Sequence, residues 1–205
     1  RYYTCPARVG EIADATAKYY TIMRLSIPRD VGWMVTANPS TLLLLAKTVD
    51  EHREKMIRDI RDGTLSDVMP VEPSIRAELQ SRLQPEPECA RQLESIVSRT
   101  SRLLPADYWS LNYLAHWTGG TMGLYRNQLR EYFGDVPVRD IGLIASEGRM
   151  SIPVADESAG GHRGAAPDPG LAADDGTRLD HDARLDPCRR EVRRRVHAYI
   201  DERYR

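Results

Sequence analysis

The sequence predicts an α/β fold, a parallel-type sheet covered by helices, with a C-terminal tail that has no core of its own. Three observations lead there. Residues 11–103 repeat apolar positions at helical spacing, interrupted by one short β-prone run. Residues 108–154 read strand, glycine turn, helix, strand, the order of a βαβ unit in which both strands run parallel. Residues 162–205 hold no lysine, ten arginines and seven aspartates, with little apolar periodicity before Val192. Hydrophobicity that low cannot bury a core. The expected division is 1–161 for the folded domain and 162–205 for a low-complexity, disordered tail, with a short helix in "REVRRRVHAYIDERYR" at its end.

Each element follows from its pattern. From Glu11 to Ile27, Ile12, Ala15, Tyr19, Ile22 and Met23 fall on one side of a helix. "VGWMVTA", Val31 to Ala37, is short, apolar and β-prone, which predicts a buried strand. Asn38 then stands at an N-cap with Pro39 at the first helical position, where its missing N–H costs nothing. That helix runs to Gly63, which closes it. Two further helices, Pro73 to Leu83 and Pro87 to Leu103, flank the break "QPEPE". "LNYLAHW" reads as a strand, "TGG" as a turn, and "TMGLYRNQLREYFG" as a helix ending at Gly134. "VRDIGLIA", Val138 to Ala145, reads as a second strand running into "SEGR".

Composition excludes several functions. The 29 basic and 30 acidic side chains nearly cancel, so no global field grips nucleic acid or an anionic membrane. The longest purely apolar run, Leu42 to Ala46, is too short to cross a bilayer. Cys5, Cys89 and Cys188 are odd in number, far apart and in no metal-ligand spacing, which fits a reduced, cytoplasmic setting. The phosphate-loop pattern GxxxxGK[ST], the dinucleotide pattern GxGxxG, the nucleophile elbow GxSxG and zinc-ligand spacings are all absent. The arginine run of the tail reads as a solvated face or a non-native tail ahead of a contact for nucleic acid or an acidic partner.

Chemistry concentrates in "TGG" and "ASEG". In a parallel α/β unit, ligands collect at the carboxyl ends of the strands, where both motifs are expected. Glycines after a strand let backbone approach a flat ligand or a phosphate closely. The following helix N-terminus adds N–H donors. Ser146 can hydrogen-bond a phosphate oxygen, and Glu147 can hold Mg²⁺, which prefers oxygen ligands. Each motif also has an ordinary reading. "TGG" serves as a simple turn, and Ser146 with Glu147 serves as a helix cap. His116, inside an apolar strand, reads as a satisfied core residue.

The ordered segments "YYTIMRLSI", "VGWMVTANPSTLLLLAKTVDEHREKMIRDIRDGTL" and "LNYLAHWTGGTMGLYRNQLREYFGDVPVRDIGLIASEGRMSIPV" resemble the auxin-responsive family of acyl acid amido synthetases, part of the adenylate-forming superfamily. The likeness runs from Tyr2 to Gly161 and implies part of an adenylate-forming N-terminal domain. It also implies ATP and Mg²⁺ as cofactors and, as substrates, a small carboxylic acid with an amine or amino acid. In the family, ATP activates the acid to an acyl-adenylate, and the amine displaces AMP. By the resemblance, Thr118, Gly119 and Gly120 line the nucleotide and acyl pockets, with Trp117 and Met122 beside the acyl group. Ala145, Ser146 and Glu147 match the family's (A/S)SE motif, with Ser146 near the phosphates and Glu147 toward the metal. Leu143 replaces an aromatic that covers the adenine in plant members. Arg149 and Met150 stand where plant members place aromatic acyl-pocket residues, so the acid recognised differs from indoleacetic acid, and Arg149 suits a second carboxylate.

Two departures bear on activity. The family's phosphate loop falls before the first residue of this chain, and its ribose-binding aspartate and mobile C-terminal domain fall after the last match. Beyond "ADESAGG" the family continues into an apolar β-rich segment, whereas this sequence turns into the Arg/Asp-rich tail. The expectation is an incomplete, inactive product, with a frameshift near Gly161 accounting for the tail. Two other readings stay open at this level: a non-catalytic remnant or partner-binding module, and thioester formation of the acyl-CoA ligase kind.

Overall fold

The first helix, α1 (Ala15–Ser26), starts where Asp14 caps it: the Asp14 carboxylate accepts from the Ala17 N–H at 2.7 Å. This computed structural model describes residues 3–142, with the backbone of 144–145 and 148–149, so the tail expected at 162–205 lies outside the described residues. The cap sets the rotation of the helix. Ala17, Tyr20, Met23 and Arg24 turn inward, whereas Ala15 is exposed and Tyr19 and Ile22 are half-buried. Ile12 is buried but precedes the helix, following a 3-10 turn over Ala7–Glu11. The stripe read from the sequence holds at Ile12 and Met23 and in part at Tyr19 and Ile22, which pack against the core, and fails at Ala15.

The sheet has three parallel strands in the order β1 (Trp33–Val35), β2 (Tyr113–His116), β3 (Val138–Asp140). β2 is central, and β1 pairs only with it among the described residues. The run Val31 to Ala37 is thus a short edge strand instead of a buried one: Trp33 is 42% and Val35 50% exposed. The cause is one-sided cover. Leu114 of β2 packs with Leu42, Leu43 and Ala46 of α2 (Pro39–Glu51), while Trp33 and Val35 point to the opposite face. On that face Trp33 stacks on Tyr113 with ring centroids 6.0 Å apart. The Arg139 guanidinium lies 4.4 Å from the Tyr113 centroid, a diagonal cross-strand cation–π contact.

The stretch from Pro39 to Gly63 forms two helices, α2 and α3 (Arg53–Asp62), because His52 leaves the helical region at φ −110°, ψ 21°. α2 bridges two layers, Leu42, Leu43 and Ala46 facing the sheet and Leu45 and Val49 facing α1, while α3 packs on α5 (Pro87–Thr100) in a helical layer with α1 and α4 (Pro73–Leu79). That layer buries Tyr20, Met23, Met56, Ile60, Leu79, Leu93 and Leu103. After the short α6 (Pro105–Tyr108), the chain enters β2, a 3-10 turn over Gly120–Tyr125, and α7 (Arg126–Phe133). Leu129 and Phe133 of α7 complete the cluster around Leu114. The helix expected over 121–134 is therefore 3-10 in its first half. Among the described residues, no helix is long and apolar enough to cross a membrane.

Gly63 ends α3 in the left-handed conformation, φ 71°, as the sequence predicts. A Cβ there would lie 2.6 Å from the Pro85 backbone nitrogen. Gly63→Ala should therefore lower stability by about 3 kcal/mol, combining left-handed strain with a clash against backbone. Urea unfolding checks this, with Gly10→Ala as control, since a Cβ at Gly10 meets nothing within 4 Å. Equal midpoints for the two variants would show that the turn relaxes freely.

Candidate functional site

β2 and β3 end at the same rim of the sheet. His116 closes β2 and is in register with Asp140, which closes β3. Beyond His116, Trp117 to Gly120 leave the sheet at its carboxyl end, and the chain turns into the 3-10 segment and α7. The glycine turn thus stands where the βαβ pattern puts it. Gly120 has φ 62°, which favours glycine. Gly119 has φ −70°, open to any residue. A Cβ at Gly119, Gly120 or Gly123 would meet nothing within 4 Å. No packing among the described residues demands glycine at 119, and the space over the turn is open to a ligand.

Asp140 ties this turn to the next segment. Its Oδ2 accepts from the Thr118 N–H at 2.9 Å and from the Thr118 hydroxyl at 2.5 Å. Its Oδ1 accepts from the Gly142 N–H at 2.6 Å, and the Trp117 indole Nε1–H donates to the Gly142 carbonyl at 2.8 Å. Partial burial alone would raise the Asp140 carboxyl. The hydrogen bonds from Thr118 and Gly142, with the His116 charge, outweigh it and hold Asp140 below the ordinary carboxylate range. His116 itself is buried: Nδ1 meets the Trp117 carbonyl at 2.7 Å, and Nε2 has no partner among the described residues. Its satisfaction is half of what the sequence suggests.

The second strand of the sequence reading divides. Parallel pairing stops at Asp140, and Gly142 turns the chain at φ 76°. β4 (Ile144–Ala145) then pairs antiparallel with β5 (Gly148–Arg149), Ile144 opposite Arg149 and Ala145 opposite Gly148. The "ASEG" motif therefore spans two antiparallel strands rather than leading out of a parallel one. Gly148 and Arg149 are strand, so among the described residues no helix follows the motif. The structure brings Trp117 and Thr118 together with Asp140 and Gly142 and places Gly119, Gly120 and Met122 in the turn. Ala145 and Arg149 are placed by backbone alone. Leu143, Ser146, Glu147 and Met150 lie outside the described residues.

Asp140 is the residue that pattern reading passes over. Its signal was available: Asp-x-Gly at a strand end is an Asx-turn sequence, in which the carboxylate bonds the N–H two residues on. The bond from Gly142 is that turn. The second bond set, to Thr118 22 residues earlier, is visible only once β2 and β3 are side by side.

Known proteins share this architecture. The solved structure of the GH3.15 acyl acid amido synthetase superposes with a TM-score of 0.63 at 23% identity, covering 73% of this chain and 28% of that one. The complex of AtGH3.15 with 2,4-DB gives a TM-score of 0.60 at 25% identity, over 68% of this chain. By sequence, the chain is 32% identical over 111 residues to the jasmonoyl–L-amino acid synthetase JAR6 of Nicotiana attenuata, which is 53% of this chain and 19% of that protein. It is 33% identical over 105 residues to the jasmonoyl–L-amino acid synthetase GH3.5 of Oryza sativa subsp. japonica, 50% of this chain and 18% of that protein. The chain thus spans under a fifth of the length of these relatives. Residues 1–138 match the model of the GH3 family N-terminal domain, and the chain belongs to that family.

Proposed function

We propose that this chain carries one wall of an acyl-adenylating site used for joining a small carboxylic acid to an amine or amino acid. The observation that supports it is the open glycine turn at the carboxyl end of β2, anchored through Asp140 to the approach to β4. Ligands of parallel α/β sheets gather at that rim. ATP with Mg²⁺, when bound, supplies an electrophilic phosphorus for the carboxylate of the acid. The backbone of Thr118, Gly119 and Gly120 admits the nucleotide closely, since no side chain intervenes at either glycine. Ser146 offers a hydroxyl to a phosphate oxygen, and Glu147 an oxygen to the metal. Leu143 provides an aliphatic surface for the base. Trp117 and Met122 border the acyl group, while Arg149 and Met150 select it, the guanidinium favouring an acid with a second carboxylate.

The test transplants residues 117–149 of this chain into a full-length synthetase of the family. Acid-dependent exchange of pyrophosphate into ATP is measured with a panel of aryl, alkyl and dicarboxylic acids. Exchange well above background, strongest with the dicarboxylic acids, is the expected result. A folded chimera, checked by circular dichroism, that exchanges nothing with any acid would refute the assignment. Residues 1–205 alone should show no exchange, because no phosphate-cradling loop occurs in this sequence. Each such donor is commonly worth about 2.7–4 kcal/mol in the transition state.

A further inference from the structure

We propose that Asp140 is a positioning residue of the nucleotide site, holding the Thr118–Gly120 turn and the chain entering β4 in one fixed arrangement. The inference rests on the reading of that site given above. Three donors converge on one carboxylate: the Thr118 N–H and hydroxyl on Oδ2, and the Gly142 N–H on Oδ1. The two segments are otherwise distant in sequence, and the Trp117–Gly142 bond is a second link between the same pair. Both glycines are exposed, and a Cβ at either would meet nothing within 4 Å. The turn carries one long backbone bond of its own, from the Met122 N–H to the Gly119 carbonyl at 3.3 Å, and the grip on Thr118 immediately before the glycines ties it to the sheet. Only an acceptor at both oxygens serves all three donors; an amide would turn its NH₂ toward one of them. A turn held this way is set before any ligand arrives, which is what a preorganised site requires.

The signature is that two amides 24 residues apart answer to one titration. The carboxyl is depressed in the folded chain, so its hold is complete above the unfolded value of about 3.9 and is lost as pH falls through the lower folded value. In ¹⁵N-resolved NMR of residues 1–205, the Thr118 and Gly142 amides should shift together with one midpoint below about 3.9. His116, the register partner of Asp140 on β2, is the charged side chain that acts on this carboxylate, and the transition should persist in His116→Gln. Thr118→Val, which removes one donor and keeps the shape, should raise the midpoint toward the unfolded value. Asp140→Asn should abolish the shared transition. At neutral pH it should speed amide exchange on the order of tenfold in both 117–122 and 140–149, with α3 unaffected.

A second arm addresses the site itself, in the full-length synthetase carrying residues 117–149, where a phosphate loop is present: Asp140→Asn should raise the KM for ATP on the order of tenfold. Independent titration of the two amides, or faster exchange in one segment only, overturns the role given to Asp140. A shared titration with an unchanged KM for ATP overturns its role at the nucleotide site and leaves Asp140 a fold tether only, whereas a folded chimera that exchanges nothing even with Asp140 in place overturns the nucleotide reading itself.

Discussion

Asp59→Ala should remove about 4 kcal/mol of stability, the largest loss expected from a single substitution in this chain, because it strips the acceptor from a buried polar cluster. Asp59 is 4% exposed and sits near the end of α3. Its Oδ2 accepts from the Tyr20 hydroxyl at 2.7 Å and from the Ser66 N–H at 2.7 Å, and its Oδ1 from the Thr64 hydroxyl at 2.7 Å. Burial, and then the bond to Asp59, keeps the Tyr20 phenol protonated far above its ordinary range, so Tyr20 acts as the donor. Arg24, 2% exposed, closes the cluster through the carbonyls of Thr64 at 3.0 Å and Gln84 at 3.3 Å. Alanine would leave three donors unmet and the Arg24 charge without its nearby anion. Asparagine keeps the volume and one acceptor, and should lose roughly half as much. Thermal and urea unfolding followed by circular dichroism measure both. A drop below about 1 kcal/mol for alanine would show that water enters and replaces the carboxylate.

The second large effect concerns chemistry. In the full-length synthetase carrying residues 117–149, Glu147→Gln keeps the side-chain shape and removes the charge. Acid-dependent pyrophosphate exchange should fall on the order of 10²-fold, about 2.7 kcal/mol, if that charge holds the metal at the transferring phosphate. Raising Mg²⁺ should recover part of the loss, because weakened metal binding is compensated by mass action. Asp140→Asn in the same protein should act differently, loosening the turn without removing a ligand, and Mg²⁺ should not recover it. Unchanged exchange in Glu147→Gln would show that the carboxylate plays no part in the reaction.

Much of this was written locally in the sequence. Asn38–Pro39 and Gly63 bound the α2–α3 stretch where the sequence places them, Gly63 in the left-handed conformation and Pro39 in the first turn, although the Asn38 side chain makes no capping bond. The strand–glycine–helix–strand order gives parallel β2 and β3, since a helix-length crossover returns the chain in the same direction. The α/β class and the family likeness follow from signals of this kind, each contained within a few turns of chain. What tertiary structure decided depends on neighbours that no window of sequence contains. Val31 to Ala37 is apolar enough for an interior strand, yet among the described residues β1 pairs only with β2, and Trp33 and Val35 are exposed because α2 and α7 cover the opposite face. The break at His52 has no glycine or proline to announce it; beyond it α3 packs on α5, while α2 packs on α1 and reaches the sheet through Leu42, Leu43 and Ala46. The strand expected to run from Val138 to Ala145 stops at Asp140 because that carboxylate, set beside β2, engages Thr118 and turns the chain at Gly142. A carboxylate reads as one more surface charge in sequence. Its role is fixed by which donors the fold brings within 3 Å of it, a property of the assembled sheet and not of the residue.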